Sequence, residues 1–67
     1  MAIARETHII ASSPKSIEGA IEEGFNRARK TLRGITGIKV NEIDAKVENG
    51  KIVEYRVHMK LIFLLEG

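Results

Sequence analysis

The 67-residue sequence contains no cysteine and only three aromatic residues. The missing cysteine excludes a disulfide framework and a cysteine-ligated zinc site, which are two common means of stabilising so short a chain. A core of this size is also too small to divide, so residues 1–67 are predicted to form a single domain. Self-association is the remaining way to bury more apolar surface, and we therefore expect a homo-oligomer.

Long apolar runs and a large charge of one sign are also missing. The longest apolar run, Leu61 to Leu65, is far shorter than a bilayer core of roughly 30 Å requires, so no transmembrane segment is expected. Eleven basic and nine acidic residues are interspersed and give a formal charge of +2. This pattern is typical of a solvated surface. With no leader-like N-terminus, the sequence predicts a cytoplasmic protein without a membrane or nucleic-acid partner.

The apolar pattern in the first half predicts a strand followed by a helix. Alternation over Ile3 to Ala11 indicates the strand. Ser13 is the expected N-cap, Pro14 the expected first helical residue and Gly34 the expected helix stop. The helix presents a single apolar stripe along one side. Its members are Ile17, Ala20, Ile21, Gly24, Phe25, Ala28 and Leu32.

The second half predicts two strands joined by a tight turn. A strand is expected to start at Gly37, and its alternation slips by one residue, which predicts a β-bulge near Asn41 and Glu42. Asn49 and Gly50 both tolerate positive φ, which favours a two-residue hairpin. The next strand runs from residue 53 to residue 65, and it fits at the centre of the sheet with the first strand on its far side.

The predicted fold class is therefore α+β, with a three-stranded antiparallel sheet and one helix in the order β-α-β-β. One helix can cover only one face of the sheet. The alternation assigns Phe25, Tyr55 and Phe63 to the core beneath that helix. On the other face, Ile62, Leu64 and Ile10 require a partner subunit.

Several side chains could carry chemistry, and each also has a plain structural interpretation. Gly34-x-x-Gly37 resembles the loop that clamps nucleic acid in the KH domain, but a strand follows it here instead of a second helix. His8 and His58 could meet across paired strands as metal ligands or an acid–base pair, or could be surface histidines. Glu42 and Asp44 share one face, which suits either calcium at a subunit boundary or simple solvation.

The remaining polar clusters are weaker indications of a site. A basic cluster near the end of the helix either complements the helix dipole or binds phosphate. No serine or other nucleophile has a base at suitable spacing, so an enzyme is not expected. The members of the basic cluster are Arg27, Arg29, Lys30 and Arg33.

The segments "ASSPKSIEGAIEEGFNRARKTLRGI" and "RVHMKLIFLLEG" resemble the dodecins, and the resemblance covers nearly the whole chain. It implies a β-α-β-β protomer whose sheet partly wraps its helix, assembled as a hollow shell of twelve subunits. Many dodecins bind riboflavin, lumichrome or flavin mononucleotide (FMN) as stacked pairs at two-fold interfaces and store the flavin without catalysis. The resemblance thus implies a non-enzymatic flavoprotein that stores a small ligand.

The same resemblance implies three cofactor-binding positions and no metal-ligating set. Gly37 matches the tryptophan that stacks on the flavin in flavin-binding members, and Arg56 matches a glutamine that bonds the edge of the flavin. Glu42 retains the acidic residue that contacts the ribityl chain. Glycine offers no ring to stack, and arginine donates hydrogen bonds but does not accept them. The chain is thus closer to the branch without the tryptophan, which implies either binding of FMN, riboflavin or a related nucleotide cofactor, or a structural shell with calcium sites.

Overall fold

The computed structural model describes residues 3–65, which form three strands and one helix. Strand β1 spans Ile3–Ser13, helix α1 spans Ile17–Ala28, strand β2 spans Ile35–Glu48 and strand β3 spans Lys51–Leu65. The sheet order is β1-β3-β2, and both neighbouring pairs are antiparallel. The predicted α+β class, the β-α-β-β order and the central position of the last strand are confirmed. Among the described residues, no helix has the length and apolar character needed to cross a membrane.

The predicted start of the helix is wrong by three residues. Ser13 belongs to β1, and its buried hydroxyl accepts hydrogen bonds from the amides of Lys15 at 3.1 Å and Ser16 at 3.4 Å. These bonds turn the chain through Pro14 without starting a helix. Ser16 is the N-cap, because its hydroxyl accepts from the amide of Gly19 at 2.9 Å. The backbone of Ser16 is extended, as N-cap residues usually are.

The predicted end of the helix is also wrong. The helix stops at Ala28, whose carbonyl then accepts from the amide of Leu32 at 2.9 Å in the following turn. Gly34 lies beyond that turn with a φ of 71°. Its carbonyl accepts from the amide of Leu64 at 3.1 Å, so Gly34 leads the chain into the sheet. Strand β2 consequently begins at Ile35, and Gly37 lies inside the strand and not at its start.

The hairpin and the bulge are confirmed. Asn49 and Gly50 have φ values of 51° and 73°, as a tight turn of this kind requires. Asn41 is the extra residue on β2 between the pairs Val40–Met59 and Glu42–His58. The pairing also shifts at Thr36 of β2 and at Val53 of β3, which the sequence analysis did not predict.

The core lies between α1 and the adjacent strands β1 and β3. Gly24 lets the helix approach the sheet closely, since a Cβ there would overlap Cε of Met59 and lie 2.9 Å from Cβ of Ala11. The prediction for the aromatic residues holds only in part, because all three are half-buried and none belongs to the buried cluster. The cluster consists of Ala11, Ala20, Val57 and Met59, with Ile9, Ile17 and Ile21 packed against it.

Helix α1 packs on β1 and β3 and leaves the same side of β2 open. There Ile38, Val40 and Ile43 are 37%, 41% and 52% exposed. The chain as a whole exposes 5206 Å². A folded monomer of this mass would expose about 4,200 Å². The chain therefore exposes about 1,000 Å² more than a compact monomer of its mass, which agrees with the uncovered apolar residues of β2.

Candidate functional site

The candidate site lies on the face of the sheet that is turned away from α1, called here the open face. Val57, Met59 and Leu61 of β3 are fully buried on the helix side. Successive residues of a strand point to opposite faces, so Arg56, His58 and the other even-numbered residues of β3 from Glu54 to Leu64 point to the open face. The pairing then decides which residues of β1 and β2 join them.

All three predicted binding residues lie on the open face. Gly37 is paired with Ile62, and Glu42 is paired with His58. Arg56 is paired with Asp44, one row further along the sheet. Glu42 and Arg56 are therefore near neighbours, since diagonal positions on paired strands lie about 7–8 Å apart.

Gly37 does not adjoin the other two predicted residues within one copy of the chain. Its partner Ile62 and Arg56 lie on the same face of β3. At about 3.3 Å per residue, the two positions are roughly 20 Å apart along the strand. One copy cannot place both beside a single ring system. A site formed from Gly37 and Arg56 therefore requires two copies.

The side chain of Ile62 is the nearest neighbour of Gly37 across the paired strands. A Cβ at this glycine would lie 3.5 Å from Cδ1 and 3.8 Å from Cβ of Ile62, which are ordinary van der Waals distances. The glycine therefore exposes the flank of Ile62 without being needed for backbone conformation. This arrangement offers a small apolar shelf on which a flat group can rest.

Asp44 links two side chains on the open face. One carboxylate oxygen, Oδ1, accepts from Nε of Arg56 at 2.6 Å, and the other, Oδ2, lies 2.8 Å from Nε2 of His58. The hydrogen bond with His58, followed by that with Arg56, lowers the pKa of Asp44 below its ordinary value of 3.8. The carboxylate therefore stays ionised at neutral pH and holds the side chains of Arg56 and His58 in place. Arg56 retains its terminal nitrogens for a further anion.

His8 and His58 meet across the paired strands, as the sequence analysis proposed. Their rings are stacked at a centroid distance of 6.3 Å and an interplanar angle of 28°. The Nε2 atom of His58 faces Asp44. Among residues 3–65, no three His, Cys, Asp or Glu side chains are grouped so that one copy could hold a metal ion. The pair thus extends the cluster around Asp44.

Asp44 is the residue whose role the sequence analysis missed. Its shared face with Glu42 is confirmed by the pairs Glu42–His58 and Asp44–Arg56. Calcium is one of the two interpretations of these carboxylates, but both oxygens of Asp44 already have side-chain partners at hydrogen-bond distance. The signal that could have identified this arrangement is the strand register, which depends on the bulges.

Two basic residues at the end of α1 lie on the helix side of the sheet. Arg27 and Lys30 line a groove of about 660 Å³ between the helix and the edge strand β1, together with the apolar Ile9 and Leu32. The groove is on the helix side and at the edge of the sheet. It therefore lies outside the cluster around Asp44.

Comparison with known proteins gives a consistent match over the whole described chain. The family model for dodecin matches residues 3–66. The dodecin of Thermus thermophilus is 32% identical over 62 residues, which is 92% of this chain and 90% of that protein.

Solved structures give the same result. The dodecin of Streptomyces davaonensis has a TM-score of 0.93 at 33% identity, with 98% of this chain and 97% of that chain covered. A calcium dodecin of Mycobacterium tuberculosis, described as a calcium-chelating antigen with a novel calcium-binding site, has a TM-score of 0.83 at 34% identity. The comparison with the latter covers 96% of this chain and 91% of that one.

Proposed function

The chain belongs to the dodecin family, and we propose that it is a non-catalytic storage protein that assembles as a hollow shell of twelve copies and holds a small ligand between them. Dodecins are oligomeric proteins that bind and store small ligands. The proposed ligand is a flavin, either FMN or riboflavin, or a related nucleotide cofactor, and the cytoplasm is the proposed location. Gly37, Glu42 and Arg56 are the proposed binding residues.

The observation that carries this proposal is the incompleteness of one copy. Ile38, Val40 and Ile43 are left exposed on the helix side of β2, although their side chains continue the core. On the open face, Gly37 and Arg56 lie about 20 Å apart along the sheet. A second copy supplies what both features require, namely a cover for apolar surface and a second wall for a ligand site.

The polar groups favour a ligand with an anionic part. Arg56 projects beside Asp44, and guanidinium groups bind carboxylates and phosphates through paired donors. Glu42 is an exposed acceptor in the next row and suits the hydroxyl groups of a sugar-like chain. Gly37 lacks a ring, so the stacking contribution of about 1 kcal/mol for an aromatic pair is lost together with contact area. Flavin affinity is therefore expected to be lower than in members with the tryptophan.

Two measurements on the purified chain test the proposal. Light scattering coupled to gel filtration is expected to give the mass of twelve copies, and a monomer mass would refute the shell. Addition of the protein to FMN or riboflavin is expected to quench the flavin fluorescence at high micromolar protein concentrations. An Arg56→Gln variant, which has the residue of flavin-binding members, should change the affinity, whereas Arg29→Gln at the C-cap of the helix should not. The absence of quenching would refute flavin storage.

The second candidate is a structural shell that binds calcium and no flavin. Glu42 is an exposed carboxylate on the open face, and the similar M. tuberculosis protein is described as calcium-chelating. In a shell of twelve copies, Glu42 side chains that meet at a symmetry axis would supply several carboxylate ligands to one calcium ion. Calorimetric titration with calcium chloride tests this candidate. Glu42→Gln should abolish the heat of binding while the helix variant Glu22→Gln should retain it, and equal binding by both variants would rule it out.

A further inference from the structure

Three basic side chains form one row across the open face, next to the Asp44 cluster. Lys60 of β3 is paired with His8 of β1 on one side and with Lys39 of β2 on the other. Neighbouring strands are about 4.8 Å apart. The row therefore places two ammonium groups and an imidazole within the reach of one small ligand.

The two lysines of this row are unfavourably placed in the absence of an anion. Like charges directly opposite each other on paired strands destabilise a sheet. Among residues 3–65, no carboxylate oxygen lies within 4 Å of the ammonium group of Lys39 or Lys60. The acidic residues of the adjacent rows are Glu6, beside Ile62, and Glu42, beside His58. Lys60 is also half-buried, which restricts its movement away from Lys39.

The neighbouring rows define the kind of ligand that fits. On one side of the row, Gly37 and Ile62 form the apolar shelf. On the other side, His58 stacks on His8 and is held by Asp44. Rows on one face repeat every two residues, which is about 6.6 Å. A ligand whose flat group rests on the shelf can therefore reach the lysines with an anionic substituent.

We propose that the row formed by Lys39, Lys60 and His8 is an anion site that binds the phosphate of a phosphorylated ligand. A phosphate group carries about −1.5 to −2 charges at neutral pH and three acceptor oxygens, which matches two ammonium donors and an imidazole. A carboxylate has half that charge and fewer acceptors. The anion site adds detail to the proposed storage function. It rests on that function only in the assumption that the phosphorylated ligand also carries a flat ring. It makes this chain selective for phosphorylated over unphosphorylated ligands.

The phosphate site is tested first without any flavin. The melting temperature of the full chain is measured with increasing inorganic phosphate and, separately, with sodium chloride at the same ionic strength. Phosphate is expected to raise the melting temperature more than chloride does. Lys60→Gln should melt higher than the parent without phosphate, since the repulsion is gone, and should bind phosphate about tenfold more weakly or worse, as expected for one lost charge-assisted hydrogen bond.

Two variants provide the control. Lys51→Gln removes the same charge at the far end of β3, about 30 Å from Lys60 along the strand, and should respond to phosphate as the parent does. Lys39→Gln changes an exposed residue, folds without loss of a buried group and should reproduce the Lys60→Gln result. Equal effects of phosphate and chloride, or an equal loss in Lys51→Gln, would overturn the proposal.

The flavin experiment then separates this inference from the proposed function. The parent should bind FMN more tightly than riboflavin, and Lys60→Gln should reduce this preference. If FMN and riboflavin bind equally in both proteins, flavin storage stands and the phosphate site is overturned. If neither flavin binds but inorganic phosphate still binds through Lys60, the phosphate site stands and flavin storage fails.

Discussion

Replacement of Gly37 by tryptophan is expected to create strong flavin binding in this chain. The backbone of Gly37 is not in the positive-φ region, so a larger residue is conformationally permitted. A Cβ at this position meets Ile62 at 3.5 Å, which is ordinary van der Waals contact, so a side chain can start here without moving the neighbour. Tryptophan is also favoured in strands. The substitution adds a ring on the open face at the edge of the apolar shelf.

The expected gain can be worked out from contact area and stacking. An aromatic side chain buries about 150–250 Å², of which about 100 Å² would face a stacked flavin. At about 25 cal/mol per Å², this area contributes about 2.5 kcal/mol. Offset stacking adds about 1 kcal/mol. The sum of about 3.5 kcal/mol corresponds to a roughly 300-fold decrease in Kd, before the cost of ordering the side chain is subtracted.

The assay is the quenching of FMN fluorescence by increasing protein, with Gly37→Leu as the control. Leucine supplies apolar area without a π face, so it should recover only part of the gain. Gel filtration of each variant confirms that the assembly is unchanged. If Gly37→Trp and Gly37→Leu both bind FMN like the parent while the assembly is intact, Gly37 does not line the flavin site, and the assignment is refuted.

Three further predictions concern the fold and the polar cluster. Gly24→Ala should lower the free energy of unfolding by about 1–2 kcal/mol in urea denaturation, because a Cβ would press on Cβ of Ala11 at 2.9 Å and on Met59, and this overpacking outweighs the roughly 1 kcal/mol by which alanine favours the helix. Glu23→Ala on the exposed side should stay within about 0.5 kcal/mol. Ser16→Ala should cost about 1 kcal/mol in the same assay because the N-cap is lost; an unchanged value would contradict the assigned cap. Asp44→Asn should lower the melting temperature at neutral pH. Folding lowers the pKa of Asp44, so the stabilisation from its carboxylate is present above its ordinary pKa of 3.8 and is lost as the pH falls through the lower folded value. The difference in melting temperature between Asp44→Asn and the parent should therefore shrink in acid. A difference that stays constant with pH would contradict the charge argument.

The order of elements could be predicted because each depends on a local signal. The Asn49–Gly50 turn and the slip of alternation at Asn41 were both readable and both confirmed. The start of the helix could not be predicted, because two neighbouring serines are both suitable N-caps. Ser13 and Ser16 can each accept from an amide, and Ser13 is retained by its pairing with Tyr55 in the sheet. That tertiary contact is invisible in a local pattern.

The cluster around Asp44 could not be predicted without the bulge at Val53 of β3. The hairpin pairs Val47 with Ile52, and an unbroken register from there would place Asp44 opposite Tyr55, with its side chain on the wrong face. The extra residue Val53 shifts the pairing by one and puts Asp44 opposite Arg56. A shift of one residue moves every following side chain to the other face. The conflict between the tight turn and the apolar alternation is the signal in the sequence that requires this bulge.

The two proposed ligand sites depend differently on assembly, and this difference gives a last prediction. The anion row belongs to one copy, because Lys60 pairs directly with both His8 and Lys39. The ring site does not, because Gly37 and Arg56 are about 20 Å apart along β3. A ligand that contacts two copies stabilises their association by mass action, whereas a ligand held by one copy need not. In sedimentation at decreasing protein concentration, FMN should therefore move subunit dissociation to lower concentration, and inorganic phosphate should move it much less. If FMN remains bound with undiminished affinity to dissociated subunits, the ring site lies within one copy and the two-copy arrangement is wrong.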